Sequence, residues 1–180
     1  RLRSSISINV SGTSLASDEF IEHFIGKLRA SKIPGGLITL EVTEQAALTN
    51  LERAAASMRR LRELGCGIAI DDFGTGANSL AYLRSLPVTR IKIDGSFVRD
   101  LLTNNRSESG VKGILQLARE YKLDTVAEFV ESEAVASRLQ KLGVVRGQGY
   151  LFGKPEPVEL ALEKLGEEEM LAVKDIFDQY

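Results

Sequence analysis

Ile68-Ala69-Ile70-Asp71-Asp72-Phe73-Gly74-Thr75-Gly76 is the stretch on which the reading of this chain turns. An apolar run of this kind makes a buried strand, and here it ends in two adjacent carboxylates and a loop with two glycines. Charge is delivered to the end of a strand, which is where parallel α/β proteins keep their chemistry. Successive strand side chains point to opposite faces, so Asp71 and Asp72 share a side only if the strand is already bending into the loop.

The pattern recurs on both sides. Upstream, residues 6–10 alternate as a strand with Asn9 near its tip, and residues 37–43 read as a second strand that brings Glu41 and Glu44 to its end. Between them, residues 18–29 place Phe20, Ile21, Phe24, Ile25 and Leu28 on one helical face, with His23 on the solvated side. Thr49-Asn50-Leu51-Glu52 has capping-box spacing and opens a helix through Met58 and Leu61 that Gly65 stops. Cys66 behind it reads as a small buried residue.

Downstream, Ile91-Lys92-Ile93-Asp94 is a strand in which Lys92 and Asp94 share a face. Such charges inside an apolar strand form either a structural ion pair or a working one. Residues 107–121 are helical, residues 124–130 form a strand closed by Glu128 and Glu131, and Ser132 caps a helix that stops at Gly143. Residues 144–152 read as the last strand with Gln148 in its middle; Pro157 opens a helix over 158–165, and residues 167–180 have an apolar stripe at helical spacing.

Six strands, each followed by a helical segment and about thirty residues apart, describe βαβ units with right-handed crossovers. A closed (β/α)8 barrel needs two more, so the expectation is either an open sheet or a barrel whose first part lies upstream of Arg1. The 180 residues, 43% apolar with net charge −2, suit one domain with a proper core and give no electrostatic reason to expect duplex nucleic acid as a partner. The absence of an apolar run of about 18 to 20 residues and the single cysteine fit a cytoplasmic domain.

Collected at the strand ends are Asn9, Glu41, Glu44, Asp71, Asp72, Lys92, Asp94, Glu128, Glu131 and Gln148. So many carboxylates in one mouth repel each other unless cations hold them, and an oxygen-only set suits Mg²⁺ or Mn²⁺ rather than zinc. Two such ions are the usual arrangement for in-line attack at a phosphodiester, with Lys92 orienting or helping to deprotonate the water and a glutamate taking its proton.

Glu41-Val42-Thr43-Glu44, Asp71-Asp72-Phe73-Gly74-Thr75-Gly76, Ile91-Lys92-Ile93-Asp94, Ala127-Glu128-Phe129-Val130-Glu131 and Gln148-Gly149-Tyr150-Leu151-Phe152 resemble, in order and spacing, the motifs of the EAL domain, the cyclic di-GMP phosphodiesterase family of bacteria. The resemblance implies a modified TIM-type (β/α)8 barrel with one antiparallel strand, of which about six βα units are present. Residues 1–180 are then an EAL-type domain lacking its N-terminal part, ending in a C-terminal helix over 167–180. It implies hydrolysis of cyclic di-GMP to linear pGpG, with a non-hydrolysing cyclic di-GMP receptor as the alternative.

By the same resemblance Asn9, Glu41 and Asp71 are ligands of a first metal ion, and Asp71 with Asp72 of a second. Lys92 and Glu128 flank the water, Glu128 as general base. Glu44 steadies the loop after Asp72, while Asp94, Glu131 and Gln148 support the second metal and the substrate. A homodimer through the loop and helix after the double aspartate, and regulatory domains elsewhere in the parent protein, are also implied. The glutamate of the motif that names the family is expected upstream of Ile6. Phe129 stands where the family usually has glycine, with the expectation that it tilts Glu128 or narrows the pocket; Ala77, where the family commonly has tyrosine, is a milder departure.

Overall fold

The computed structural model describes residues 5–76, 83–157 and 159–160. Its six strands are β1 (Ile6–Asn9), β2 (Ile38–Thr43), β3 (Gly67–Phe73), β4 (Arg90–Ile93), β5 (Asp124–Ala127) and β6 (Arg146–Gly147). All pair in parallel, and their order across the sheet is their order along the chain. A doubly wound sheet reverses direction at a switch point, whereas this winding never does, so the sheet is part of a TIM-like (β/α) barrel.

Strand register separates two faces. Ile8 pairs with Leu40, Leu40 with Ile68, Val42 with Ile70, Ile70 with Ile91, and Ile93 with Ala127, giving a largely apolar face on which Thr125, opposite Ile91, is a polar member. The intervening positions form the other: Asn9 pairs with Glu41, Thr43 with Asp71, Arg90 with Asp124 and Val126 with Arg146. Helices cover the apolar side, and the polar side is the one the strand-end residues share.

The helices are α1 (Gly12–Leu15), α2 (Asp18–Ser31), α3 (Glu44–Thr49), α4 (Leu51–Glu63), α5 (Gly95–Arg99), α6 (Asn105–Tyr121) and α7 (Glu133–Leu142), with a 3-10 turn at Gly35–Leu37. Each long helix buries the stripe its period dictates: Ile21, Ile25 and Leu28 in α2; Ala54, Ala55, Met58 and Leu61 in α4; Val111, Ile114, Leu115 and Ala118 in α6. Ser132 caps α7 by accepting from the Val135 N–H, and Gly143 ends it in the left-handed conformation, both as expected. Cys66 is fully buried, and His23 is exposed.

Several boundaries differ from the sequence expectation. The cap of α4 is Asn50, accepting from the Arg53 N–H at 3.3 Å, while Thr49 ends α3 and donates its hydroxyl to the Gln45 carbonyl at 3.1 Å. The expected capping box is therefore displaced by one residue, because α3 already claims Thr49. Strand β5 stops at Ala127, and β6 shrinks to Arg146–Gly147, so Gln148 follows the strand instead of lying within it. At this edge Val145 is 91% exposed, and only two residues find ladder partners. Most of the expected helix over 158–165, all of the tail over 167–180, and Ala77 lie outside the described residues.

Candidate active site

The site begins with an irregularity in β3. Ile70 pairs with Ile91 and Phe73 with Ile93, so Asp71 and Asp72 together stand opposite Lys92 alone. Two residues facing one is a β-bulge, a device that re-aims side chains beside active sites. Asp72 takes it up with φ 53°, in the left-handed region that aspartate tolerates better than most residues. The alternation that would send the two aspartates to opposite faces is thereby broken.

Lys92 is the centre of the arrangement and is 3% exposed. Its Nζ donates to Glu41 Oε2 at 2.7 Å and lies 2.9 Å from both Asp71 Oδ1 and Glu128 Oε1. Burial pulls the lysine's pKa down, but the bonds to Glu41, Glu128 and Asp71 outweigh it and hold the pKa above its ordinary value. The buried charge that the sequence left open between two uses is thus an ammonium shared by the ends of three strands.

One ammonium cannot neutralise every acid around it. Burial, and then the neighbouring Asp71 and Asp72 charges, push Glu128 up to about 7 in spite of Lys92. Asp72 is raised by burial and by Asp71 and Asp94. Carboxylate oxygens of Asp71, Asp72 and Glu128 lie within 4.8 Å of one another. Glu128 Oε2 is buried with no hydrogen-bond partner among the described residues. An excess of negative charge, oxygen donors only, and an orphaned carboxylate oxygen together fit a hard divalent cation.

The other expected residues divide. Glu41 is buried on Lys92, and Asn9, its register partner, shares its face at the exposed end of β1. Glu44, 2% exposed, begins α3 behind Thr43, and a Cβ at Gly76 would lie 2.2 Å from its Oε1; its carboxylate therefore lies against the loop after Asp72. Asp94 caps α5 through the Ser96 N–H at 2.9 Å while facing Asp72. Glu131 and Gln148 are exposed side chains outside the Lys92 cluster, although the Gln148 backbone is tied to Ala127 and Val130.

Of the two effects expected of Phe129, the tilt of Glu128 is not seen: Glu128 keeps its contact with Lys92, while residue 129 adopts φ 52° with its ring on Gly95. The sequence reading also missed the step beneath the site, where Asp124 pairs with Arg90 at 3.6 Å and with Arg146 at 2.6 Å. Arg90 and Arg146 lie two positions before Lys92 and Gln148 in the chain, and Asp124 lies four before Glu128, a spacing that the period of 2 could have flagged.

A family model described as the EAL domain matches residues 2–155. The cyclic di-GMP phosphodiesterase PdeB of Shewanella oneidensis is 42% identical over 153 residues, covering 85% of this chain and 18% of PdeB. Cyclic di-GMP phosphodiesterase PdeF of Escherichia coli is 42% identical over 151 residues, covering 84% of this chain and 20% of PdeF. The chain thus spans about a fifth of the length of the curated relatives it matches. Among solved structures, the PaMucR phosphodiesterase in complex with c-di-GMP superposes with TM-score 0.81 at 35% identity, covering 87% of this chain and 64% of that one. The FimX EAL domain of Pseudomonas aeruginosa bound to c-di-GMP gives TM-score 0.80 at 30% identity, covering 84% and 62%. Fold, motif order and a family match running from the first strand past the last converge: the chain belongs to the EAL domain family.

Proposed function

We propose that this chain is the hydrolytic domain of a cyclic di-GMP phosphodiesterase, in which water opens one phosphodiester of the cyclic dinucleotide to give linear pGpG. The observation that carries the reading is the single buried ammonium of Lys92 gathering Glu41, Asp71 and Glu128 at 2.7 to 2.9 Å, with Asp72 brought alongside by the bulge. A merely structural ion pair has no use for three carboxylates and an orphaned fourth oxygen.

Asn9, Glu41 and Asp71 would hold one divalent ion and Asp71 with Asp72 a second, Mg²⁺ or Mn²⁺ suiting the oxygen donors. When bound, the ions supply the positive charge that offsets the carboxylates and eases deprotonation of water. Lys92 would orient the attacking water by turning one of its three N–H donors, now on Glu41, Asp71 and Glu128, toward it. Glu128, pushed up to about 7 by burial, is poised to accept its proton near neutral pH. Asp94 steadies Asp72 and Glu44 steadies the loop at Gly76, while Glu131 and Gln148 would support the second metal ion and the substrate, as the family resemblance implies.

The small share of each relative that the chain covers supports a domain working within a longer, regulated protein, and we extend the reading to a homodimer by family resemblance. The first part of the segment expected to pair, residues 77–82, lies outside the described residues. The test is Mg²⁺-dependent turnover of cyclic di-GMP by the full-length parent protein, with binding in Ca²⁺ as a control for site formation. Product pGpG is expected. Binding of intact nucleotide without product would make it a receptor, and no binding at all would leave an interaction module.

A further inference from the structure

Phe129 holds a backbone conformation that its side chain disfavours: its φ of 52° lies where glycine sits freely and a bulky residue rarely does. The residue directly follows Glu128, and the peptide is fastened on both sides. The Glu128 N–H donates to the Ile93 carbonyl at 3.2 Å, and the Val130 N–H to the Gln148 carbonyl at 3.0 Å. Between these anchors the ring leaves the core, 43% exposed, and settles on α5. A Cβ at Gly95 would lie 2.2 Å from Phe129 Cδ2, so the ring rests on the glycine itself. The Arg99 guanidinium carbon stands 4.0 Å from the ring centroid, a cation–π contact.

Core packing does not account for an exposed aromatic in strained backbone. Such strain persists only where the surroundings over-determine it, and it gathers at working sites. The position of the seat supplies the reason. Gly95 follows Asp94, which faces Asp72, and lies three residues beyond Lys92. The ring therefore fastens the end of β5, which carries Glu128, to the end of β4, which carries Lys92.

We propose that Phe129 is a positioning residue: seated on Gly95 and held by Arg99, it fixes the left-handed turn that aims the Glu128 carboxylate at Lys92. The proposal deepens the phosphodiesterase reading and rests on it. Glycine at 95 is its receptor, since any side chain there evicts the ring.

The test uses the full-length parent and cyclic di-GMP with Mg²⁺. Phe129→Ala removes the ring while keeping the preference against positive φ, and lowers kcat roughly tenfold or more with KM unchanged within about twofold. Phe129→Tyr keeps the ring and restores the wild-type rate. Gly95→Ala reproduces the kcat defect, and the Gly95→Ala/Phe129→Ala double variant is no slower than either single one, because both remove one contact. Thermal unfolding of each variant separates this from loss of fold. Wild-type turnover with an unchanged kcat in Phe129→Ala, or a defect that Phe129→Tyr fails to rescue, overturns the proposal. Absence of product from the wild type overturns the phosphodiesterase reading instead. A crystal structure of Phe129→Ala then decides the positioning role by itself: loss of the Glu128–Lys92 contact supports it, and retention at hydrogen-bond distance overturns it.

Discussion

The ends of β3, β4 and β5 and the end of β6 carry the same kinds of polar residue, yet the fold holds them differently. At the centre of the sheet, Asp71, Lys92 and Glu128 come from three neighbouring strands, Glu41 reaches in from β2, and all meet within 2.9 Å of one nitrogen. At the edge, β6 is two residues long, and Gln148 and Glu131 are exposed. A strand paired on both sides fixes the height and direction of its side chains; an edge strand fixes only its backbone. The centre is thus assembled by the sheet itself, whereas the edge offers groups that a ligand would have to order. The contrast predicts that central substitutions act on stability and chemistry together, and edge substitutions on ligand affinity alone.

The largest effect falls on Lys92. Lys92→Met keeps the length of the side chain and removes its charge, leaving the Glu41, Asp71 and Glu128 carboxylates without a counter-charge in a buried site. Breaking a buried pair by removing one partner costs about 3–5 kcal/mol. Urea unfolding of the metal-free protein at neutral pH should show a loss of this size together with loss of turnover. An unchanged midpoint would mean that the cluster is held by something other than the ammonium.

Next comes the proton on Glu128. Its folded pKa of about 7 lies above the roughly 4.3 of an unfolded glutamate. Between these values the folded state keeps a proton that the unfolded state has released. The stabilisation is therefore full below the unfolded pKa and is lost as pH rises through about 7. In metal-free protein the loss amounts to roughly 4 kcal/mol at most. Glu128→Gln, which is neutral throughout, should abolish this slope and be the more stable form at about one pH unit above the folded pKa of Glu128. Equal slopes in both proteins would place the titrating group elsewhere.

The loop after the double aspartate tests the reach of the centre. Gly76→Ala sets a Cβ 2.2 Å from Glu44 Oε1, and Glu44 is too buried to retreat. Overpacking of this kind costs about 1–3 kcal/mol. Glu44→Ala in the same chain should recover most of it in thermal unfolding, and failure to recover would show that the strain lies in the loop backbone.

Much of this centre was legible because it depends on strand periodicity. The run from Ile68 to Phe73 and the caps at Ser132 and Gly143 are local signals, and the structure follows them; Lys92 is in its strand as expected, but β4 ends at Ile93 and Asp94 caps α5 instead of continuing the strand. The bulge was not legible, since it exists only in the register between β3 and β4. The conformation of Phe129 was hidden for a similar reason, because its seat, Gly95, is the first residue of α5 and lies far away in sequence. The short helices α1, α3 and α5 escaped a search for long apolar periods. Their caps were nevertheless in plain sight, with Ser11, Thr43 and Asp94 each one residue before the helix and each accepting a backbone N–H. A strand ending in a capping residue is a usable sign of a one-turn helix at a barrel mouth.

The smallest structural effect, and the sharpest test of the contrast, is at the edge. Gln148 and Glu131 share no hydrogen bond or ion pair with the Lys92 cluster among the described residues, and the contribution of Gln148 to the fold is made by its backbone, which any residue supplies. Gln148→Ala and Glu131→Ala should therefore leave stability within about 0.5 kcal/mol of wild type. If these side chains meet the substrate, KM for cyclic di-GMP rises several-fold, on the order of 1 kcal/mol for one hydrogen bond, while the thermal midpoint stays put. A destabilised Gln148→Ala would show that the edge is as tightly built as the centre. Unchanged KM and unchanged stability would restrict the working site to β1 through β5, with β6 serving only to continue the sheet.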